Sequence, residues 1–94
     1  MATLSAAEAA ASLAELEGWT LDGNAIRKQF VFSGFPQAVE FVAGLVPGAE
    51  AADHHPDIVI NYKRVTLTYS THSEGGLTLK DFAGAKMAER VFAS

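Results

Sequence analysis

The chain has no cysteine, which excludes a disulfide framework, a thiolate nucleophile and a sulfur-rich zinc site. It also has no run of lysine or arginine. Its 7 basic residues are scattered among 11 acidic ones, and a net charge of -4 argues against a nucleic-acid backbone or an anionic membrane as the main partner. No apolar run approaches membrane-spanning length, and the start, MATLSAAEAAASL, has neither the basic cluster nor the apolar core of a secretory signal. A cytoplasmic protein is the expectation. Proline is scarce, at positions 36, 47 and 56, so each one carries information about where helices can run.

What is present is a packed domain. With 94 residues, 49% of them hydrophobic and 19% charged, the chain reads as one domain over 1–94. A domain of this size buries only about 60 to 65% of the surface its unfolded chain exposes, so association with copies of itself would add stability. Ser5-x-x-Glu8 reads as a capping box that opens an alanine-rich helix to about Leu16, stopped at Gly18. Trp19 to Leu21 and Ile26 to Phe32 read as strands around Asp22-Gly23-Asn24, with Lys28 breaking the alternation. Ser33 or a neighbour caps a helix whose Phe35, Val39, Val42 and Val46 form an apolar stripe expected to face a sheet. Pro47-Gly48 predicts a kink or a fresh helical start there. Ile58, Ile60 and Tyr62 then share one face of a strand, and Val65, Leu67 and Tyr69 one face of the next, which ends at His72 on its polar side. Thr78-x-x-Asp81 is a second capping box, opening a last helix through Phe92. The pattern predicts an α+β fold in the order α-β-β-α-β-β-α, a four-stranded antiparallel sheet with three helices on one face.

All three histidines fall in the central and later part of the chain, at His54, His55 and His72. Imidazole is the side chain that both gives and takes protons near neutrality, so this concentration suggests acid/base chemistry. Adjacent histidines converge on one ligand only where the backbone turns, and Pro56 favours such a turn by pushing His55 out of the helical region. The residues alone leave other roles open. Three histidines with a carboxylate from Glu50, Asp53 or Asp57 have the donor types that zinc takes, although the helical His-Glu-x-x-His spacing is absent. Asp81 could serve only the helix amide that a capping box gives it, Glu50 could be a solvated helix residue, and Trp19 and Tyr62 could be core aromatics.

The order Glu50, His54-His55-Pro56, Tyr62, His72, Asp81 resembles the signature of the pterin-4a-carbinolamine dehydratase family. Leu13, Leu16 and Gly18-Trp19 resemble its amino-terminal segment, and Ser70-Thr71-His72 followed by Gly76-Leu77-Thr78 its later one. The resemblance implies the fold order given above. It also implies a lyase that dehydrates 4a-hydroxytetrahydropterin to quinonoid dihydropterin and water, with no metal and no organic cofactor, recycling the cofactor of aromatic amino-acid hydroxylases. It implies His54 and His72 as proton-transfer residues, His55 sharing the work or holding the pterin, and Asp81 orienting an imidazole. The same resemblance implies that Glu50, Asp53, Pro56, Thr71, Ser73 and Glu74 join the histidines against the substrate. A homodimer or homotetramer is implied, as is a hydroxylase as a working partner. The family also contains binding modules, a transcription-factor dimerisation cofactor and an enzyme assembly factor, so a non-catalytic role on the same fold is the alternative. Two positions depart from the family pattern: Ile58 stands where many members carry an aromatic residue, and Pro47-Gly48 interrupts a helix that is usually continuous.

Overall fold

The computed structural model describes residues 3–94, the side chain of His72 excepted. The chain runs through helix α1 (Ala6–Leu13), strands β1 (Thr20–Asp22) and β2 (Ala25–Val31), and helix α2 (Phe35–Ala52). Strands β3 (Asp57–Asn61) and β4 (Arg64–Tyr69), a 3₁₀ turn over His72–Glu74, and helix α3 (Leu79–Ala93) complete it. The sheet is antiparallel, in the order β1-β2-β4-β3, with the three helices on one face, as the sequence predicts.

Two tight hairpins build the sheet. Asp22 pairs with Ala25 across Gly23-Asn24, where Gly23 takes φ +60°, and Asn61 pairs with Arg64 across Tyr62-Lys63. Tyr62 therefore lies in a turn at φ +55° and is exposed, rather than closing a strand or filling the core. In the centre, Ile26 faces Tyr69 and Phe30 faces Val65 in register, and these four with Leu67 are at most 1% exposed beneath the helices. Each such side chain contributes roughly 1.5–3 kcal/mol by leaving water. Lys28, the break in the alternation, is accommodated by α3: its Nζ lies 2.7 Å from Glu89 and 3.1 Å from the Glu17 carbonyl, and 4.7 Å over the Phe30 ring. The Trp19 indole donates to the same Glu89 carboxylate at 2.9 Å.

Both capping boxes form. At α1 the Ser5 backbone amide, and then its hydroxyl, hold the Glu8 carboxyl below the usual carboxylate range. This helix ends at Leu13, earlier than predicted, because the amides of Glu15 and Leu16 turn back to the Ser12 and Leu13 carbonyls in a tighter turn that buries Leu16. Helix α2 is capped by Gly34, the neighbour of Ser33, with no side-chain bond, and it continues through Pro47 without a new start. Its core face is Ala38, Phe41, Leu45 and Ala49. Of the stripe expected to face the sheet, only Val42 packs against the core, and Phe35, Val39 and Val46 point outward at 52%, 41% and 54% exposed. Gly48 is a point of close approach, since a Cβ there would lie 2.9 Å from Met87 of α3.

Candidate functional site

The end of α2 sets the first histidine. Asp53 caps the helix in the left-handed region at φ 50°, and the His54 amide reaches back to the Ala49 carbonyl at 3.1 Å, a six-residue closure of the last turn. This reversal turns the chain so that His54 meets the start of α3. Its Nε2 donates to Asp81 Oδ1 at 2.6 Å, and the His54 side chain is only 12% exposed.

Asp81 is buried without contact with solvent, and three donors satisfy it. Besides His54, its Oδ2 accepts from the Thr71 hydroxyl and from the Thr78 backbone amide, each at 2.9 Å. The Thr78 hydroxyl accepts from the Lys80 amide at 3.2 Å and donates to Thr71 Oγ1 at 2.9 Å, which leaves the Thr71 proton for Asp81. A buried carboxylate is tolerated only with such compensation, and each charge-assisted bond contributes about 1.5–3 kcal/mol. Thus Asp81 serves both roles considered from the sequence: it completes the α3 cap and it orients an imidazole. With Nε2 engaged as donor, Nδ1 is the nitrogen of His54 left to exchange a proton.

The loop bearing His72 hangs from the same threonine. Thr71 and Gly76 form an isolated bridge, and the Glu74 amide closes onto the Thr71 carbonyl at 3.0 Å. The strand stops at Tyr69, so His72 sits in a 3₁₀ turn rather than at a strand end. The expectation that His72 carries a proton falls on a side chain outside the described residues. Ser73 and Glu74 are exposed beside it, whereas Thr71 is 5% exposed with its hydroxyl on Asp81.

His54 and His55 part company. The His55 Nε2 lies 2.5 Å from Glu50 Oε2, both side chains more than half exposed, and this pair adjoins a small cleft of about 100 Å³ walled by Val42, Leu45, Val46, Pro56 and Ile58. His54 instead lines a cleft of about 430 Å³ between α2 and α3, floored by Gly48 and Gly84 and edged by Lys80 and Arg90. Asp53 is exposed and acts on the backbone path. Among the described residues, no three metal-ligating side chains converge.

Sequence reasoning missed two participants. Thr78 was visible as a helix cap but not as part of the Asp81 network. Tyr69 was visible as a core position only, yet its ring stacks against His54 with centroids 6.0 Å apart and planes at 25°. Burial, and then the charge of Asp81, push its phenol up to about 12. Among the described residues its hydroxyl has no hydrogen-bond partner.

The site is thus an imidazole anchored on a buried aspartate within a small α+β sheet-and-helix domain. The chain belongs to the pterin 4 alpha carbinolamine dehydratase family, whose model matches residues 2–91. It is 50% identical over 92 residues to a Roseiflexus protein, covering 97% of this chain and 99% of the relative. A Sulfolobus acidocaldarius protein is 48% identical over 79 residues, 84% and 87% of the two chains. Both bear the name "Putative pterin-4-alpha-carbinolamine dehydratase". A crystal structure from Brucella melitensis, titled transcriptional coactivator/pterin dehydratase, superposes with a TM-score of 0.90 at 37% identity, covering 95% of this chain and 97% of that one.

Proposed function

We propose that this protein dehydrates 4a-hydroxytetrahydropterin to quinonoid dihydropterin and water, by histidine general acid/base catalysis. The observation that carries the reading is the His54–Asp81 bond of 2.6 Å, which fixes one imidazole nitrogen as a donor and leaves the other to act. In the reaction the C4a–O bond breaks, the N5 proton is lost, and the nitrogen lone pair forms the C4a=N5 bond. Hydroxide leaves poorly, so it must be protonated as it departs, while a base accepts the N5 proton. His54 and His72 are the proposed carriers. Asp81 stabilises the imidazolium that His54 becomes, and a positioned transfer of this kind contributes on the order of 10² to 10⁴ in rate. His55 with Glu50, and the exposed Asp53, Ser73 and Glu74, are proposed contacts to the polar edges of the pterin, with Pro56 beside them.

The reading includes a cytoplasmic site of action and substrate supplied by an aromatic amino-acid hydroxylase. It also includes a homodimer or homotetramer, supported by the outward apolar stripe of α2 and by the edge strand β3, whose Ile58, Val59 and Ile60 are all exposed. That same exposed surface favours a second reading, a binding module on this fold. One assay separates them. The absorbance of quinonoid dihydropterin formed from freshly generated carbinolamine should rise in proportion to protein concentration; a rate equal to that of buffer, with the protein folded, rules out the enzyme and leaves the module.

A further inference from the structure

The bond to Asp81 fixes His54 at one atom and leaves a freedom. An imidazole held through Nε2 alone can still rotate about that contact, and rotation carries Nδ1 off the direction a substrate needs. The second constraint is the Tyr69 ring, which lies against the face of the imidazole at 6.0 Å and 25°. Tyr69 is itself pinned. It is 0% exposed, Trp19 packs on it with centroids 6.0 Å apart, and α3 passes so close that a Cβ on Gly84 would fall 2.5 Å from Tyr69 Cε1 and 2.8 Å from Cζ. A ring so enclosed cannot yield by a rotamer change, so Gly84 is the gap in α3 that permits its position.

We propose that Tyr69 is a positioning residue for His54, its ring setting the plane of the imidazole and hence the direction of Nδ1, with Gly84 required because any side chain there displaces that ring. The inference rests on the dehydratase reading and goes beyond it, since Tyr69 is fully buried and acts on the reaction only through His54. The ring, not the hydroxyl, carries the role: the hydroxyl has no partner among the described residues. Loss of the ring should therefore act on the chemical step and not on substrate affinity.

The test compares Tyr69→Leu, Tyr69→Phe and Gly84→Ala with wild type, each first shown by thermal melting to be folded. Tyr69→Leu should lower kcat by about tenfold with KM within about twofold, because a misaimed group costs rate without losing substrate contacts. Tyr69→Phe, which keeps the ring, should recover most of that loss. Gly84→Ala should lower kcat in the wild type but add less than about twofold in the Tyr69→Leu background, the coupling expected when one residue acts through the other. The proton resonances of the His54 ring supply a readout besides turnover, shifting in Tyr69→Leu and Gly84→Ala but not in Tyr69→Phe. Tyr69→Leu with wild-type kcat and an unmoved His54 resonance, while His54→Ala is inactive, overturns the positioning role and leaves the dehydratase standing. A loss in Tyr69→Phe as deep as in Tyr69→Leu overturns it too, by transferring the role to the hydroxyl. No turnover by wild type sinks the dehydratase reading itself, and the catalytic meaning of the stack with it. Should Tyr69→Leu not fold, Gly84→Ala carries the same comparison.

Discussion

At the scale of single residues, the site is organised around two buried groups, Asp81 and Tyr69, that differ in how well they are satisfied. Asp81 has three donors, so Asp81→Asn, which turns one acceptor oxygen into a donor amide, should cost about 1.5–3 kcal/mol in urea unfolding and also lower turnover. An Asn variant as stable as wild type would mean that the carboxylate is not held as described. Tyr69 has no described partner, and removing its hydroxyl should leave stability at neutral pH unchanged or slightly raised. Its phenol, held up to about 12 against an ordinary 10.0, stays protonated in the fold while the unfolded chain ionises. Above pH 10 the unfolded state binds fewer protons, so the contribution is complete below that value and lost as pH rises toward 12, by about 2 to 3 kcal/mol. Tyr69→Phe should lack this part of the alkaline decline, which unfolding curves of both proteins across that window will show. That Asp81 orients an imidazole was implied by the family resemblance, but that the imidazole is His54 comes only from the fold. That His54 and His55 serve different carboxylates was not legible in the sequence, because it depends on the left-handed turn at Asp53, and aspartate carries no strong signal for that conformation.

At the scale of elements, the boundaries legible in the sequence were those with a chemical marker: the Ser5 and Thr78 caps, and the hairpin at Gly23. Helix α2 was misread for a physical reason. It is apolar on two sides, and periodicity alone cannot say which stripe is covered; the small residues Ala38 and Ala49 let the Phe41 and Leu45 side approach the sheet. Pro47 was expected to kink or restart the helix; helical geometry persists through it with no new start, so the missing amide is a standing cost on an exposed face. Pro47→Ala should restore one helical hydrogen bond and stabilise the domain by about 1–3 kcal/mol. Each kcal/mol corresponds to roughly 4–8 °C for a domain of this size, so a melting curve will show it. An unchanged melting temperature would mean that the packing around Pro47 already absorbs the defect.

At the scale of the whole molecule, a small core coexists with apolar surface that the monomer does not cover. Phe35, Val39 and Val46 on α2 and Ile58, Val59 and Ile60 on the β3 edge are exposed, and among the described residues no strand pairs with the outer edge of β3. Light scattering behind a sizing column should give a mass at least twice that of the 9.9 kDa chain, and a charge at Val46 or Val59 should lower it. A monomeric wild type would remove the support that this surface gives to a homo-oligomer. The most direct test of the account is turnover of freshly generated 4a-hydroxytetrahydropterin by wild type, His54→Ala and His72→Ala, all shown to be folded. Wild type should outpace buffer strongly, and each variant should lose on the order of 10² or more of that rate. Variants that turn over as fast as wild type would contradict the assignment of proton transfer to these imidazoles.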